Sequence, residues 1–276
     1  MHLKRFAVYA AMAAAVLFYP FGARAEEAAG PKDTGKVRPG MSATVVDQRA
    51  LDILKGMSDS LKSAKTLSFR ARSLEPIKSP AGIWVILFSD SRVMIQEPDK
   101  LFVEKRGDVF ALDFYFDGKT ISLYSPARNV FAEKESPGTI DDVIEGVKRQ
   151  SDNPFPYSDI LISDPYSRLT SDLVGAVYVG RSTLGGVKTD HLAFSNKGVD
   201  WQIWIGADDK LPRLVNATYL DDASEPSYTV EFTDWKINDA LSPEIFAYQN
   251  STQASKIEFR KPGRIEPDSP RPSDGQ

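Results

Sequence analysis

The sequence predicts a mainly β (α+β) domain, an open antiparallel half-barrel of about 10–12 strands with helices packed on its concave side. Short segments of alternating apolar and polar residues follow one another with brief turns between them, a pattern typical of consecutive antiparallel hairpins. One helical pattern precedes these segments and another interrupts them, so the regular strand–helix alternation of a parallel sheet is absent. The aromatic content of 15 Phe, 10 Tyr and 4 Trp suits a wide interior.

The first 25 residues have the features of a secretory signal. Lys4 and Arg5 precede an apolar run over 6–18, and the small-x-small sequence at 23–25 is typical of a cleavage site. A membrane-anchoring helix is the alternative, but this run is shorter than the roughly 18 to 20 residues that a span needs, and Pro20 interrupts its end. We therefore expect a periplasmic protein, cleaved after Ala25, that is not an integral membrane protein.

The composition excludes several classes of function. Cleavage removes three positive charges and no negative one, which takes the formal charge from -4 to about -7. Binding to nucleic acid depends on Lys and Arg that neutralise phosphates, so this acidic chain is not expected to bind it. The chain has no cysteine, which excludes disulfides, thiolate chemistry, zinc–thiolate sites and a lipidated N-terminal cysteine. No cofactor is indicated.

The two ends of the mature chain differ in composition from its body. Residues 26–44 and 261–276 are rich in Pro, Gly, Ser and charge, and we expect both to be disordered because they bury too little apolar area. The body, residues 45–260, contains no internal repeat and is expected to form one domain.

The body begins with an amphipathic helix. Asp47 is a suitable N-cap, and apolar residues then recur at spacings of four and three, which predicts one buried stripe. The stripe consists of Ala50, Leu54, Met57, Leu61 and Ala64.

Two series of strands follow, separated by a helical insertion. The first series is predicted at 67–74, 82–96, 101–107, 110–118, 119–125 and 129–134, and the second at 177–184, 187–195, 199–206, 212–220, 227–235 and 256–260. Thr139 and Asp142 resemble a capping box that begins the insertion, and Ile140, Val143, Ile144 and Val147 form its apolar stripe. Shorter helical pieces are predicted at 158–163 and 164–171.

Asp190 and His191 raise the question of catalysis, because His191 is the only histidine of the mature chain. With residues 195–198 as a four-residue hairpin loop, Leu192 pairs with Trp201 and His191 with Gln202 on the opposite, polar face. Adjacent strand residues point to opposite faces, so Asp190 is badly placed to orient His191. A hydrolase that uses His191 and Asp200 is the least favoured of three functional hypotheses.

Other polar clusters have simpler structural interpretations. Asp208-Asp209 and Asp221-Asp222 lie between strands, where a turn is favoured over a calcium site. Asp141-Asp142 fall in the first turn of a predicted helix, where negative charge favours the helix dipole, rather than forming a glycosidase pair. Gly185-Gly186 is typical of a hairpin turn. No catalytic residue and no metal ligand is therefore predicted, and we expect a protein that is not an enzyme.

Several runs resemble a known family. These are PDKLFVEKRGD (98–108), YFDGKTISLYSPARNVFAEKESPGTID (115–141), SDPYSRL (163–169), YVGRSTLGGVKTDHLAF (178–194) and DWQIWI (200–205). They look like a domain-of-unknown-function family of predicted bacterial periplasmic proteins, which is similar in fold to the outer-membrane lipoprotein carriers LolA and LolB. The resemblance covers about residues 47 to 260. It implies a LolA-like incomplete barrel whose helices form a lid over an apolar cavity, and LolA uses such a cavity to shield lipoprotein acyl chains.

The leading functional hypothesis is a non-enzymatic periplasmic carrier or sensor that binds a lipid, a lipoprotein acyl chain or another hydrophobic ligand. The expected lining is Trp84, Ile86, Phe88, Phe114, Phe116, Leu192, Phe194, Trp201, Ile203, Tyr228, Val230 and Phe232, with Leu54, Met57 and Leu61 as cover. Expected partners are therefore a lipid or acyl chain and a lipoprotein or membrane-associated protein. The alternative is a regulatory protein-interaction module that binds a peptide in the same cavity or at its rim.

Overall fold

A computed structural model describes residues 45–79, 81–108, 111–148, 158–220 and 225–259, without the side chains of Val147 and Lys148. The predicted signal segment, both segments expected to be disordered and Asp221-Asp222 lie outside these residues. Its helices are α1 (Gln48–Ser63), α2 (Ile140–Lys148) and α3 (Pro165–Leu169), with 3-10 turns at Ser158–Ile160 and Pro243–Phe246.

The strands described are β1 (Thr66–Lys78), β2 (Trp84–Gln96), β3 (Lys100–Gly107), β4 (Ala111–Phe116), β5 (Thr120–Ser125), β6 (Val130–Glu135), β7 (Leu173–Leu184), β8 (Val187–Asn196), β9 (Val199–Gly206), β10 (Pro212–Tyr219), β11 (Ser227–Ile237) and β12 (Ser255–Lys256). They form one 12-stranded sheet in the order β12-β6-β5-β4-β3-β2-β1-β11-β10-β9-β8-β7. Two meanders, β1 to β6 and β7 to β11, meet where β1 pairs with β11. The predicted open, mainly antiparallel sheet is confirmed, because β7 and β12 end it without pairing with each other.

Helix α1 forms where the apolar spacing predicts it. The Asp47 carboxylate caps its first turn by accepting a hydrogen bond from the Arg49 N–H at 2.9 Å. Ala50, Leu54, Met57 and Leu61 are buried, and the helix packs on β7, β8 and β9. The predicted cap and stripe are both confirmed, and α1 covers the half of the sheet that the second meander forms.

Helix α2 begins with the predicted capping box. The Thr139 N–H donates to Asp142 Oδ2 at 2.8 Å, and the Asp142 N–H donates back to Thr139 Oγ1 at 3.3 Å. Ile140, Val143 and Ile144 are buried as expected, whereas the side chain of Val147 lies outside the described part. Of the two shorter predicted helices, the first is reduced to a 3-10 turn and the second is α3.

The hairpin between β8 and β9 differs from the prediction. Its turn has two residues, Lys197 and Gly198, so Leu192 pairs with Ile203 and His191 with Trp204, two positions from the expected register. Gly198 supplies the positive φ of 80° that the tight turn requires. An even shift leaves every side chain on its predicted face, because strand side chains alternate with a period of two.

The C-terminal segment covers part of the outer, convex face. Phe246 is buried against β3 and β4, and Tyr248 packs on Tyr115 with ring centroids 5.5 Å apart. Burial in this cluster raises the pKa of Tyr115 to about 12. The segment ends in β12, which is shorter than the strand predicted at 256–260. The segment therefore gives the first meander apolar cover on both sides.

The β1–β2 hairpin extends beyond its neighbours. The two strands stay paired to Lys78 and Trp84, whereas the pairing of β2 with β3 ends at Ser89 and that of β1 with β11 ends at Leu74. Residues 75–79 and 81–87 therefore form a two-stranded segment, the projecting ribbon, with no further sheet partner among the described residues.

Candidate ligand-binding cavity

A cavity of about 40 Å³ lies at the centre of the concave face. Its floor comes from β1, β2, β3 and β11, at the seam between the two meanders. Ile144 of α2 and Leu161, just after the 3-10 turn, cover it. The floor residues are Phe69, Ala71, Ser73, Ser91, Val93, Leu101, Val103, Lys105 and Val230.

Small side chains account for the position of the cavity. Two successive cross-strand pairs on the concave face of β1 and β2 are Ala71 with Ser91 and Ser73 with Ser89. Facing residues in an antiparallel pair lie about 5 Å apart, so two small pairs in a row leave space that neighbouring aromatic residues fill elsewhere. The void is thus set by the sequence at the centre of the sheet.

One end of the cavity is polar. Lys105 Nζ lies 3.2 Å from Glu75 Oε1, and the Lys105 and Glu75 side chains are only 5% and 14% exposed. The Ser73 hydroxyl lies 2.8 Å from the same Glu75 oxygen and 2.6 Å from the Ser89 hydroxyl. A buried ion pair is tolerated when further hydrogen bonds satisfy it, as the serine does here. The cavity therefore has an apolar body and one end where polar and charged groups concentrate.

The cavity is small in this conformation. A volume of about 40 Å³ holds about three or four water molecules, since each needs about 10 to 15 Å³ of such space. An acyl chain does not fit without movement of the wall. Binding of a large apolar ligand therefore requires Ile144 and Leu161 to withdraw from the floor.

Most residues predicted to line the cavity instead form a filled core. Val230 is the one predicted residue that lines the void. Eleven others are buried around it on the same face or in α1: Leu54, Met57, Leu61, Phe114, Phe116, Leu192, Phe194, Trp201, Ile203, Tyr228 and Phe232. These residues build the walls whose packing surrounds the cavity.

The placement predicted for Trp84, Ile86 and Phe88 is wrong. They lie on the outer face of β2, whereas Ser89 lies on its concave face. Their exposed fractions are 47%, 65% and 43%. The apolar run at 83–88 left both faces of the strand as candidates for the interior, so its sequence alone gave no basis for choosing between them. The structure places these residues on the projecting ribbon or at its base, beyond the part of the sheet that the helices cover.

Some of the cavity residues that the sequence analysis did not identify follow a pattern that marks them as buried. Phe69 and Ala71 alternate with Arg70 and Arg72, which marks the odd positions of β1 as buried. The serines interrupt the apolar pattern of the strands, although their small size is what opens the void. Lys105 had no such signal, because charged residues are rarely buried unless paired.

His191 and the aspartates do not assemble a catalytic group. The His191 ring lies on the outer face, stacked on Trp204 at 3.9 Å, with Nε2 2.9 Å from Gln202 Oε1. Asp190 points to the concave side, where its Oδ1 accepts hydrogen bonds from the Tyr178 hydroxyl and Arg181 Nε. Asp200 faces Ser195, four residues along β9 from Trp204, a separation of about 13 Å along a strand.

The remaining polar clusters are structural where the structure describes them. Asp209 stabilises the turn between β9 and β10 by accepting from the Leu211 N–H at 3.1 Å. Asp141 accepts from the N–H and hydroxyl of Ser163, at 2.9 and 2.6 Å. Within the described ranges, no three His, Asp or Glu side chains come together in a way that could hold a metal ion. No described helix is long and apolar enough to cross a membrane.

Comparison with known proteins identifies a family. The profile described as "Predicted periplasmic protein (DUF2092)" matches residues 50–260. No curated protein sequence matches the chain significantly.

Several solved structures with low sequence identity are similar to this chain. An uncharacterized conserved protein from Thermus thermophilus is 11% identical with a TM-score of 0.42, covering 76% of this chain and 98% of its own. The lipoprotein LppX of Mycobacterium tuberculosis is 13% identical with a TM-score of 0.41, covering 71% and 98%. A LolA superfamily protein from Nitrosomonas europaea is 10% identical with a TM-score of 0.33, covering 72% and 97%.

Proposed function

The chain belongs to the DUF2092 family of predicted periplasmic proteins, and we propose that it is a periplasmic carrier or sensor which binds a hydrophobic ligand without catalysis. The ligand is a lipid, a lipoprotein acyl chain or a molecule of similar chemistry. The observation that carries this proposal is the void between the sheet and its helical cover, with an apolar body and one polar end. A lipid has the same division into apolar chain and polar head.

The energetics of such binding need no reactive group. Each methylene transferred from water to an apolar site contributes about 0.8 kcal/mol, so one acyl chain supplies several kcal/mol before ordering costs. That gain must offset the separation of Ile144 and Leu161 from the floor. The ligand therefore replaces the apolar contacts of the cover with its own.

Hydrogen bonds and an ion pair connect the pieces of the cover to each other. Asp141 of α2 holds Ser163 through two hydrogen bonds, and Glu145 of α2 forms an ion pair with Arg168 of α3. These links join α2 to the segment that carries Leu161. We expect this unit to lift from β1, β2 and β3 when ligand binds, while α1 stays packed on β7 to β9.

Extraction of the purified protein with organic solvent, followed by mass spectrometry, tests the proposal. We expect co-purified lipid or, after its removal, saturable binding of a fluorescent fatty-acid analogue. A protein that yields no lipid and does not bind the analogue contradicts the proposal.

A variant that fills the void makes the test specific. Ala71→Leu adds apolar volume to the cavity wall and should weaken binding of the fluorescent analogue about tenfold or more. Ala193→Leu adds the same volume on the outer face of β8 and should leave binding unchanged. Equal affinities in both variants would place the binding site elsewhere.

The peptide-binding alternative rests on the polar end of the cavity. Glu75 and Lys105 offer charges of both signs beside the hydroxyls of Ser73 and Ser89, which a peptide backbone or its side chains could engage. Absence of lipid from the extract, combined with saturable binding of a defined periplasmic protein segment that Lys105→Gln weakens, favours this function over the carrier.

A further inference from the structure

The projecting ribbon and its base hold six of the ten large apolar side chains that are exposed among the described residues. Ile83 is 64% exposed and Val85 is 37% exposed, beside the exposed Trp84 and Ile86 already described. Leu74 and Phe88, which face each other at the base of the ribbon, are also exposed. Contiguous exposed apolar residues on a folded protein mark an interaction surface.

The ribbon is apolar on both of its faces. Trp84 and Ile86 point to the outer face, whereas Val85 and Leu87 lie on the continuation of the concave face. A protein partner docked against one face leaves the other in water. An apolar medium that surrounds the ribbon covers both faces together, which favours a lipid bilayer as the partner.

Charge at the ribbon fits the surface of a bilayer. From Pro76 to Phe88 the sequence contains one charged residue, Lys78, which lies directly across from Trp84. A lysine can bury its aliphatic stem while its ammonium reaches lipid phosphates, and tryptophan favours the same interfacial depth. The ion pairs Arg70–Asp90 and Arg92–Glu104 lie behind the ribbon, where they remain in water.

The size of the ribbon argues against a second copy of the chain as the main occupant. A stable dimer buries about 800 Å² and about 20 to 30 residues on each partner. The ribbon from Glu75 to Leu87 contains 13 residues. An element this small suits insertion into a membrane better than a lasting dimer.

We propose that the projecting ribbon is a membrane-docking element, which inserts Ile83, Trp84 and Ile86 into the boundary between lipid headgroups and acyl chains. The ribbon attaches the protein to the bilayer surface through this tip. Because β1 and β2 form both the ribbon and the cavity floor, docking places the polar end of the cavity, with Glu75, beside the membrane. The docking itself does not require that the cavity binds lipid.

Sedimentation with vesicles of phosphatidylethanolamine and phosphatidylglycerol tests the proposal. We expect the wild-type protein to sediment with the vesicles, and the double variant Trp84→Ser, Ile86→Ser to lose about tenfold or more in its partition coefficient. The control is Val177→Ser, Val179→Ser, which removes two residues that are 45% and 52% exposed on edge strand β7. This control should bind as the wild type does.

Fluorescence reports the position of the ribbon directly. Of the four tryptophans, all within the described residues, Trp201, Trp204 and Trp235 are at least partly buried and Trp84 is exposed. Vesicles should therefore shift the Trp84 emission to shorter wavelength, and lipids brominated on their acyl chains should quench it. Trp84→Phe should remove this signal while vesicle binding persists.

Three outcomes overturn the proposal. The first is a wild-type protein that stays in solution with vesicles, and the second is a loss of binding that is equal in the ribbon and control variants. The third is a wild-type dimer that the ribbon substitutions convert to a monomer, which would identify the ribbon as a self-association surface. Lipid in the solvent extract without vesicle sedimentation would refute docking and leave the carrier function intact.

Discussion

Glu97, at the end of β2, shows how one partly buried carboxyl responds to its surroundings. Burial raises its pKa above the ordinary value of 4.5, and the negative charge of Asp141 raises it further. The folded state therefore holds this proton more tightly than the unfolded state. The favourable contribution is complete below pH 4.5 and is lost as the pH rises through the raised pKa of the folded state.

Replacing Glu97 by Gln removes this ionisation. We expect Glu97→Gln to raise the free energy of unfolding at pH 7 relative to wild type, with a smaller difference near pH 4. Urea denaturation at both pH values measures the effect. Glu244→Gln, at an exposed site, should show no comparable dependence on pH, and a Glu97→Gln protein that is less stable at pH 7 would contradict the prediction.

Single residues were the hardest level to predict. Apolar residues at regular spacing, such as Leu54 and Met57, were identified because periodicity reports which side of an element is buried. The floor of the cavity depends on small residues, Ala71 and Ser73, whose effect appears only when their partners across the sheet are also small. Such pairing is a tertiary property and is not visible in one strand.

At the scale of elements, the cap of α1 connects the helix to the edge of the sheet. One carboxylate oxygen of Asp47 accepts a hydrogen bond from the Arg49 N–H. The other accepts one from the Tyr178 N–H of β7, at 3.3 Å. Asp47→Ala removes both bonds, and we expect a loss of about 1 kcal/mol or more in the free energy of unfolding. Urea denaturation measures it.

Asp47→Ser separates the two contributions. A serine retains the capping acceptor, so this variant should recover part of the loss. If Asp47→Ala is as stable as wild type, the cap does not stabilise the folded protein.

The positions of most strands follow from alternation and turn residues, while their register does not. Asn196 illustrates the reason, because it stays within β8 as its last residue and pairs with Val199 across the tight turn. Its side chain accepts from Trp201 Nε1 at 2.8 Å and donates to the Leu169 carbonyl at 2.9 Å. These contacts come from another strand and from α3, so they lie beyond the reach of a local pattern.

At the scale of the whole molecule, a short parallel pairing covers part of each end of the sheet. Val46 bridges to Ala176 beside β7, and β12 lies along β6 at the other end. Uncovered edge strands present free N–H and C=O groups that can pair with another chain. We therefore expect these two short segments to protect the residues that they cover from pairing with another chain.

Ile257→Pro should weaken this protection at β6. The Ile257 N–H donates to the Phe131 carbonyl at 2.8 Å, and proline has no such donor. We expect faster self-association on gentle heating, measured by light scattering.

Ile257→Ala is the matched control, because it shortens the same side chain and keeps the N–H that donates to the Phe131 carbonyl. Equal scattering from the two variants would show that the backbone bond of Ile257 does not protect the edge. The same wild-type sample provides the baseline for both.

The order of helix, strands, helical insertion and strands was sufficient to predict the architecture, because short connections favour antiparallel neighbours. The pairing of β1 with β11 could not be predicted in this way. That pairing joins residues far apart in sequence, such as Ala71 with Phe232, and nothing local indicates it. The seam that carries the cavity was therefore the part of the fold that the sequence left open.

Because β7 and β12 are not bonded to each other, the sheet is not closed into a cylinder. Its curvature is therefore not fixed by a continuous ring of backbone hydrogen bonds. A wider curve would break no hydrogen bonds between strands, so the proposed entry of a ligand would act mainly on side-chain contacts with the helical cover. For the carrier function proposed above, a change of curvature would then let the same wall fit ligands of different widths.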